Sequence, residues 1–323
     1  MASNLSPVAG LGAQVDSALA TRTIDLSGRR SRRTSERVIG AVLFLAGGVS
    51  ILTTVGIVVI LVTEAVRFFL DVPLPSFLFG TTWTATFNDP EYGVLPLVAG
   101  TLIIAGIAIA VALPLGMAAA IYLSEYARPR VREILKPALE LLAGVPTIVY
   151  GYFALTFITP VVLDRVVPGV DTLNGLAAGV AVGILIVPLV ASLAEDAMRA
   201  VPRSLREGGY ALGATKLEVA GRIVLPAAFS GIVAAVILAI SVAIGETMIV
   251  SLASGAKPTE TGDPRDGMQT MTGYIVQVFS GDVSRGTTAY DSLFAVGLLL
   301  FVLTLTLNVI SQLVAARFRE VYE

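Results

Sequence analysis

The chain has 323 residues, of which 55% are hydrophobic and only 14% charged, with no cysteine and no histidine. That composition excludes disulfides and thiol chemistry and removes the usual zinc and transition-metal ligands, so neither a metal nor a cofactor is expected. Apolar runs longer than the ~20 residues a helix needs to cross hydrocarbon put the chain in the membrane class, where the net charge of −2 matters less than the placement of the charges.

Residues 1–37 are polar and end in the basic cluster Arg29, Arg30, Arg32, Arg33 and Arg37. Their Ser, Ala and Gly content predicts a disordered tail. A signal peptide is not expected, because the apolar run that follows is too long for an h-region and no cleavage site follows it. Six apolar runs come next, at about 38–63, 94–123, 135–158, 174–194, 228–253 and 291–314, each read as a membrane span. Pro114 and Pro146 predict kinks in the second and third. Gly100, Gly106, Gly179 and Gly183 suit close helix contacts.

The first outer loop, roughly 67–93, places Trp83, Phe87 and Tyr92 at headgroup level. The last outer loop, roughly 254–290, reads as flexible through KPTETGDPRDG, and its segment 268–279 is amphipathic enough to lie along the outer surface of the bundle. With the N-terminal tail in the cytoplasm, 17 of the 22 basic residues fall in inside segments. Both termini are then cytoplasmic, as the excess of Lys and Arg in inner loops requires.

Between the fourth and fifth runs lies a polar island, Ser204 to Pro226. Ser204 and Glu207 stand at capping-box spacing, and Thr215 and Glu218 repeat it. Gly213 between them suits the left-handed residue that ends a helix. The spacing predicts a helical hairpin, from about Leu205 to Leu212 and from Lys216 up to Pro226, on the cytoplasmic side. With little core of its own, such a hairpin is a surface for a soluble partner.

The same stretch resembles the loop of binding-protein-dependent ABC importer permeases, whose pattern is E-A-A, three residues, G, nine residues, I-x-L-P. Here it runs Glu207-Gly208-Gly209, then Gly213, then Ile223-Val224-Leu225-Pro226. Glycines replace both alanines, which weakens the helix start by roughly 1 kcal/mol each. Residues 38–323 resemble more closely the PstC-type permeases of phosphate importers, through FLFGTTW (77–83), YGVLPLVAGTL (92–102), ALPLGMAAAIYLSEYA (112–127), LKPALELLAGVPTIVYG (135–151), AIGETM (243–248) and RFREVYE (317–323).

The resemblance implies an all-α polytopic fold of the type I importer permeases, in a bacterial or archaeal inner membrane. It implies as partners a second homologous permease, an ATPase dimer and an extracytoplasmic phosphate-binding protein, with inorganic phosphate as cargo and membrane lipid around the spans. No nucleic-acid partner is expected. It places ATPase coupling at Glu207, Gly208, Gly209, Gly213, Ala214 and Pro226. It places the substrate pathway at Glu246 and Thr247 of the GETM segment and at Thr147 and Tyr150 of GVPTIVYG. No G-x-x-x-x-G-K-[ST] phosphate cradle occurs, so ATP is hydrolysed by another chain.

Several of these residues have a plainer reading. Glu207 can cap its own helix. Glu246, costly in a span, either lines the path and accepts the proton of hydrogen phosphate, or caps a broken helix. Similar permeases often carry an Arg four residues before that Glu, and Val242 stands there, so the positive charge is left to the partner permease or to helix N-termini. Glu140 is expected to snorkel or to pair with Arg132 or Lys136. An importer of sulfate or molybdate is the nearest alternative. An intramembrane enzyme or sensor scaffold is the distant one, since no Ser, Asp or Lys constellation resembles a catalytic site.

Overall fold

The computed structural model describes residues 29–87, 89–258 and 262–317. Most of the expected disordered tail and the end of the C-terminal RFREVYE segment lie outside them. The chain divides into residues 1–59 and residues 60–323. The described part of the first is the opening stretch of α1 (Arg29–Asp71), which begins inside the expected tail.

The second unit continues from α1 through α2 (Leu74–Phe79), α3 (Leu95–Ile121) and α4 (Pro129–Ala143) to α5 (Thr147–Phe153). It goes on with α6 (Gly175–Arg199), α7 (Arg203–Ala211), α8 (Lys216–Val219), α9 (Phe229–Gly245), α10 (Met248–Ala253), α11 (Met271–Gln277) and α12 (Thr288–Arg317). Wider π-type turns carry α3 on to Tyr126, α5 on to Leu163 and α8 on to Val224. Among the described residues, five helical stretches are long and apolar enough to cross a membrane, and a bent pair, α8 with α9, brings them to as many as six.

The centre of the unit is the pairing of α3 with α6. Small side chains make it possible: Ala108, Ala112, Ala177, Ala178 and Ala181 are fully buried. A Cβ on Gly179 would lie 2.7 Å from that of Ile107, and one on Gly183 would lie 2.8 Å from that of Val111. Backbones this close gain dispersion contacts that larger residues would forbid. Gly100 likewise presses on the Gln269 carbonyl, whereas the expected role of Gly106 fails, since nothing lies within 4 Å of its Cβ position.

Around this centre the core has two ends. Leu97 of α3 belongs to an aromatic cluster with Phe68, Phe77, Trp83 and Tyr274, and Ala120 belongs to a cluster with Met198, Val201, Val219 and Val224. Twenty-three helical steps take the chain from Leu97 to Ala120, roughly 35 Å at 1.5 Å per residue. We call these the aromatic end and the hairpin end.

Three sequence expectations are corrected. The third span does not run 135–158: α4 stops at Ala143 and α5 starts at Thr147. Gly144 ends the first helix, and Val145, before Pro146, is pushed out of helical geometry by the proline ring. The fifth span does not reach 253, because α9 stops at Gly245 and Glu246 is extended (φ −63°, ψ 133°). Segment 268–279 does not lie on the outside: Met268, Met271 and Tyr274 are buried, and Thr101 of α3 accepts the Met271 N–H at 3.0 Å. Trp83 is enclosed by protein, buried between Phe77, Tyr92 and Tyr274 with its ring 4.8 Å from that of Tyr274, whereas Phe87 is exposed.

Part of the loop expected to be flexible is instead docked. The Asp171, Leu176 and Gly175 N–H groups donate to the carbonyls of Arg265, Pro264 and Asp266. Residues 259–261 of that loop lie outside the described residues.

Candidate functional site

The hairpin predicted at 204–226 is present, with adjusted bounds: α7 covers Arg203–Ala211, and α8 with its π-type turn continues to Ala227. The capping box at Thr215 and Glu218 is complete, with the Glu218 N–H bonded to the Thr215 hydroxyl and the Thr215 N–H donating to Glu218 at 2.9 Å. Those donations from the Thr215 backbone and hydroxyl hold the Glu218 carboxyl below its ordinary value. The proposed box at Ser204 and Glu207 is absent. Pro202 is the cap residue of α7 and no side chain closes the helix, because α7 begins one residue before Ser204. Glu207 is therefore exposed rather than engaged in capping.

The three glycines of the motif have three different surroundings. Gly213 takes φ +83°, the left-handed turn between α7 and α8, and its N–H donates to the Tyr210 carbonyl. Gly209 is buried at the crossing of the two helices, where a Cβ would come 2.6 Å from Cδ1 of Ile223. Gly208 faces open space. Ala214 is half-buried and its N–H donates to the Gly209 carbonyl. Pro226 is exposed and lies just before a 73° bend between the α8 stretch and α9. Its ring removes one N–H from the helix ladder, consistent with the π-type turn that precedes it.

Arg206 fastens the hairpin to the bundle. Its guanidinium donates to Glu125 at 3.0 Å, to the Met198 carbonyl at 2.8 Å and to the Val201 carbonyl at 2.7 Å. Two of its apolar side chains stay open: Leu212 is 90% exposed and Leu217 71%. A hairpin that is pinned to the bundle yet leaves large apolar side chains open suits docking of a further protein.

A second polar assembly sits beside it. Glu195 of α6 is 0% exposed, and its carboxylate accepts from Arg132 Nε and Lys136 Nζ of α4, each at 2.8 Å. Lys136 also donates to Asp196. Burial disfavours the Lys136 ammonium, but its hydrogen bonds to Asp196 and Glu195 outweigh that and raise its pKa above the ordinary lysine value. The expected partner of Arg132 or Lys136 was Glu140. Both cations go to Glu195 instead, and Glu140 is exposed. Glu195 escaped the sequence reading because it lies one residue beyond the apolar run ending at 194. The available signal was the pair Glu195-Asp196 at helical continuation of that run.

The four residues expected to line a path fall on two broken helices that touch. Gly151 of α5 packs against α10, where a Cβ would lie 3.1 Å from Cα of Ile249. Glu246 and Thr247 occupy the break before α10. The Glu246 carboxylate accepts the Met248 N–H at 3.1 Å and the Ile249 N–H at 3.3 Å, so it caps a broken helix, the plainer of its two readings. Thr272 donates to the Glu246 carbonyl and ties the break to α11. Thr247 bonds to the Gly245 carbonyl, and the Tyr150 hydroxyl donates to the Leu142 carbonyl. Thr147 is half-buried at the start of α5. The segments meet; none of these bonds joins the side chains of the first pair to those of the second.

A model of the family described as binding-protein-dependent transport system inner membrane component matches residues 112–320. A probable ABC transporter permease protein, YqgH of Bacillus subtilis, is 32% identical over 90% of this chain and 94% of its own length. The phosphate transport system permease protein PstC of Mesorhizobium japonicum is 34% identical over 75% and 78%. PstC 1 of Mycobacterium tuberculosis is 36% identical over 68% and 71%. Among solved structures, an inward-facing MetNI methionine ABC transporter chain aligns with a TM-score of 0.53 at 18% identity, over 71% of this chain and 95% of that one. A bacterial ABC transporter that imports alginate aligns with a TM-score of 0.59 at 15% identity, over 89% and 100%. At those identities the likeness is one of fold.

Proposed function

Because the chain belongs to the binding-protein-dependent transport system inner membrane component family, we propose that it is a permease subunit of an ATP-driven phosphate importer. PstC of Mesorhizobium japonicum and PstC 1 of Mycobacterium tuberculosis are phosphate permeases, and this supports phosphate over sulfate or molybdate. The observation that carries the reading is the hairpin, pinned through Arg206 and Glu125 yet exposing Leu212 and Leu217.

In this reading the hairpin end faces the cytoplasm, both termini lie there, residues 1–37 form a tail, and residues 38–323 form the permease domain. ATP hydrolysis belongs to an ATPase dimer that grips the hairpin at Glu207, Gly208, Gly209, Gly213, Ala214 and Pro226. A second permease completes the path, and an extracytoplasmic binding protein delivers phosphate at the aromatic end. Closure of the ATPase dimer draws the two hairpins together and rocks the bundle open to the outside. Hydrolysis then resets it. Glu246, Thr247, Thr147 and Tyr150 border the path where α5 meets α10, and the partner permease contributes the positive charge that Val242 does not. Glu246 fixes the break, which leaves backbone groups beside the path.

Two measurements test this. A tag on this chain retrieves an ATPase and a second permease from detergent extract. Unlabelled phosphate, and not sulfate or molybdate, competes with phosphate uptake by the assembled transporter. Competition by sulfate or molybdate instead of phosphate would reassign the cargo.

A further inference from the structure

We propose that Glu195 is a positioning residue that passes movement of the hairpin to the broken helices beside the path. The inference rests on the permease reading above. Four observations lead to it.

First, α4 has no buried residue of its own, and Ile134 and Leu141 on it are widely exposed. Its place against the bundle therefore depends on the polar clasp of Arg132 and Lys136 on Glu195 and Asp196. Second, a fully buried carboxylate holding Arg132 and Lys136 of α4, with Arg199 of its own helix at 3.8 Å, is a costly way to gain stability, since apolar side chains of similar volume serve as well. What it supplies is registration: one depth and one rotation of α4 against α6.

Third, the clasp lies within one stretch of chain with the hairpin anchor. Glu195 and Asp196 take α4, and Met198 and Val201, a few residues on, take Arg206 of α7. Any displacement of α7 thus acts on the end of α6 that holds α4. Fourth, the far end of α4 leads into the pathway segments. Tyr150 of α5 donates back to the Leu142 carbonyl across the Gly144–Pro146 joint, and Gly151 presses on α10 next to the break at Glu246. The connection from Arg206 to Glu246 is continuous through packed or hydrogen-bonded groups, with Glu195 the single link between α6 and α4 that is shared by both cations.

The test uses the whole transporter, this chain with its second permease and ATPase dimer in lipid nanodiscs and proteoliposomes. The chain has no cysteine, so spin labels can be placed at will. A pair at positions 212 and 79 reads the hairpin, and a pair at 152 and 79 reads α5; all three side chains are exposed. In the wild type, ATP binding shifts both distances. In Lys136→Met and Arg132→Met the hairpin distance still shifts, the α5 distance does not, and phosphate moved per ATP hydrolysed falls about tenfold, in the range of measured couplings between sites. Lys136→Arg restores both readings. Combining Lys136→Met with Glu195→Gln loses no more than either alone.

The inference is overturned if the α5 distance follows ATP normally in these variants, if uptake per ATP is unchanged, or if the losses add. It is also overturned if Lys136→Met and Arg132→Met both fail to assemble, which would assign the clasp to folding alone. Failure of the permease reading looks different: the wild-type transporter itself would show no ATP-driven uptake and no hairpin shift.

Discussion

Arg206 and Glu125 join two parts of the chain that are 81 residues apart, with the guanidinium 3.0 Å from the carboxylate. Glu125 is only 3% exposed in its side chain, and Arg206 also satisfies two carbonyls at the end of α6. The pair makes the hairpin part of the bundle rather than a loose appendage. Removing Arg206 leaves a buried carboxylate without its partner, a loss of about 3–5 kcal/mol for buried pairs. Arg206→Met should therefore melt well below the wild type in detergent and lose coupled uptake. The double variant with Glu125→Gln should recover part of the melting temperature, because the stranded charge is gone.

Gly213 and Gly208 make an internal comparison. Gly213 holds φ +83°, where an L side chain costs roughly 1–2 kcal/mol. Gly208 lies in helix with open space around it. Gly213→Ala should reduce ATP-driven uptake with protein still present in the membrane, while Gly208→Ala should strengthen the helix by about 1 kcal/mol. Gly209→Ala meets the flexible end of Ile223 and should be tolerated. Gly209→Leu should pry α7 from α8 and abolish coupling. Uptake measured against the amount of membrane-inserted protein separates these cases.

The cap at Thr215 carries a pH dependence. The Glu218 carboxyl is held below its ordinary 4.5 by the Thr215 backbone N–H and hydroxyl. A depressed carboxyl contributes stability that is full above the unfolded value and is lost as pH falls through the folded one. The protection of the amides of residues 215–219, their exchange measured against the intrinsic rate at the same pH, should thus hold steady at and above pH 4.5 and fall only below it. In Thr215→Val that protection should be low throughout. Wild-type protection that falls well above that pH would contradict the cap.

Glu246 separates charge from capping. Glu246→Gln keeps an oxygen for the Met248 and Ile249 N–H groups, whereas Glu246→Ala leaves both without it and should cost about 0.5–2 kcal/mol, as loss of a helix cap does. If the carboxylate borders the path, Glu246→Gln assembles normally and still impairs phosphate uptake. Unchanged uptake at all pH values would remove Glu246 from the path and leave it a helix cap.

Local chemistry made the hairpin readable before any coordinates. A left-handed glycine and a capping box act within four residues, so their spacing is visible in the sequence. The small residues at Gly179 and Gly183 were legible for the same reason that they pack, since little else permits such contact. What escaped depends on distant partners. Arg132 and Lys136 chose Glu195, about 60 residues away, over Glu140, which lies one turn from Lys136 on the same helix. Hydropathy bridged the breaks at Gly144–Pro146 and Glu246–Thr247, because averaging over a window hides a few extended residues. Amphipathicity in 268–279 marked two faces but not which of them meets Thr101.

A photo-reactive amino acid at position 212 reads out whether an ATPase takes hold of the hairpin. In membranes holding the whole transporter, illumination should join this chain to an ATP-hydrolysing subunit, and adding nucleotide should change the yield. Failure of that adduct to form, or labelling of the hairpin by a membrane-impermeant reagent from the outside, would rule out the hairpin as the ATPase's docking point.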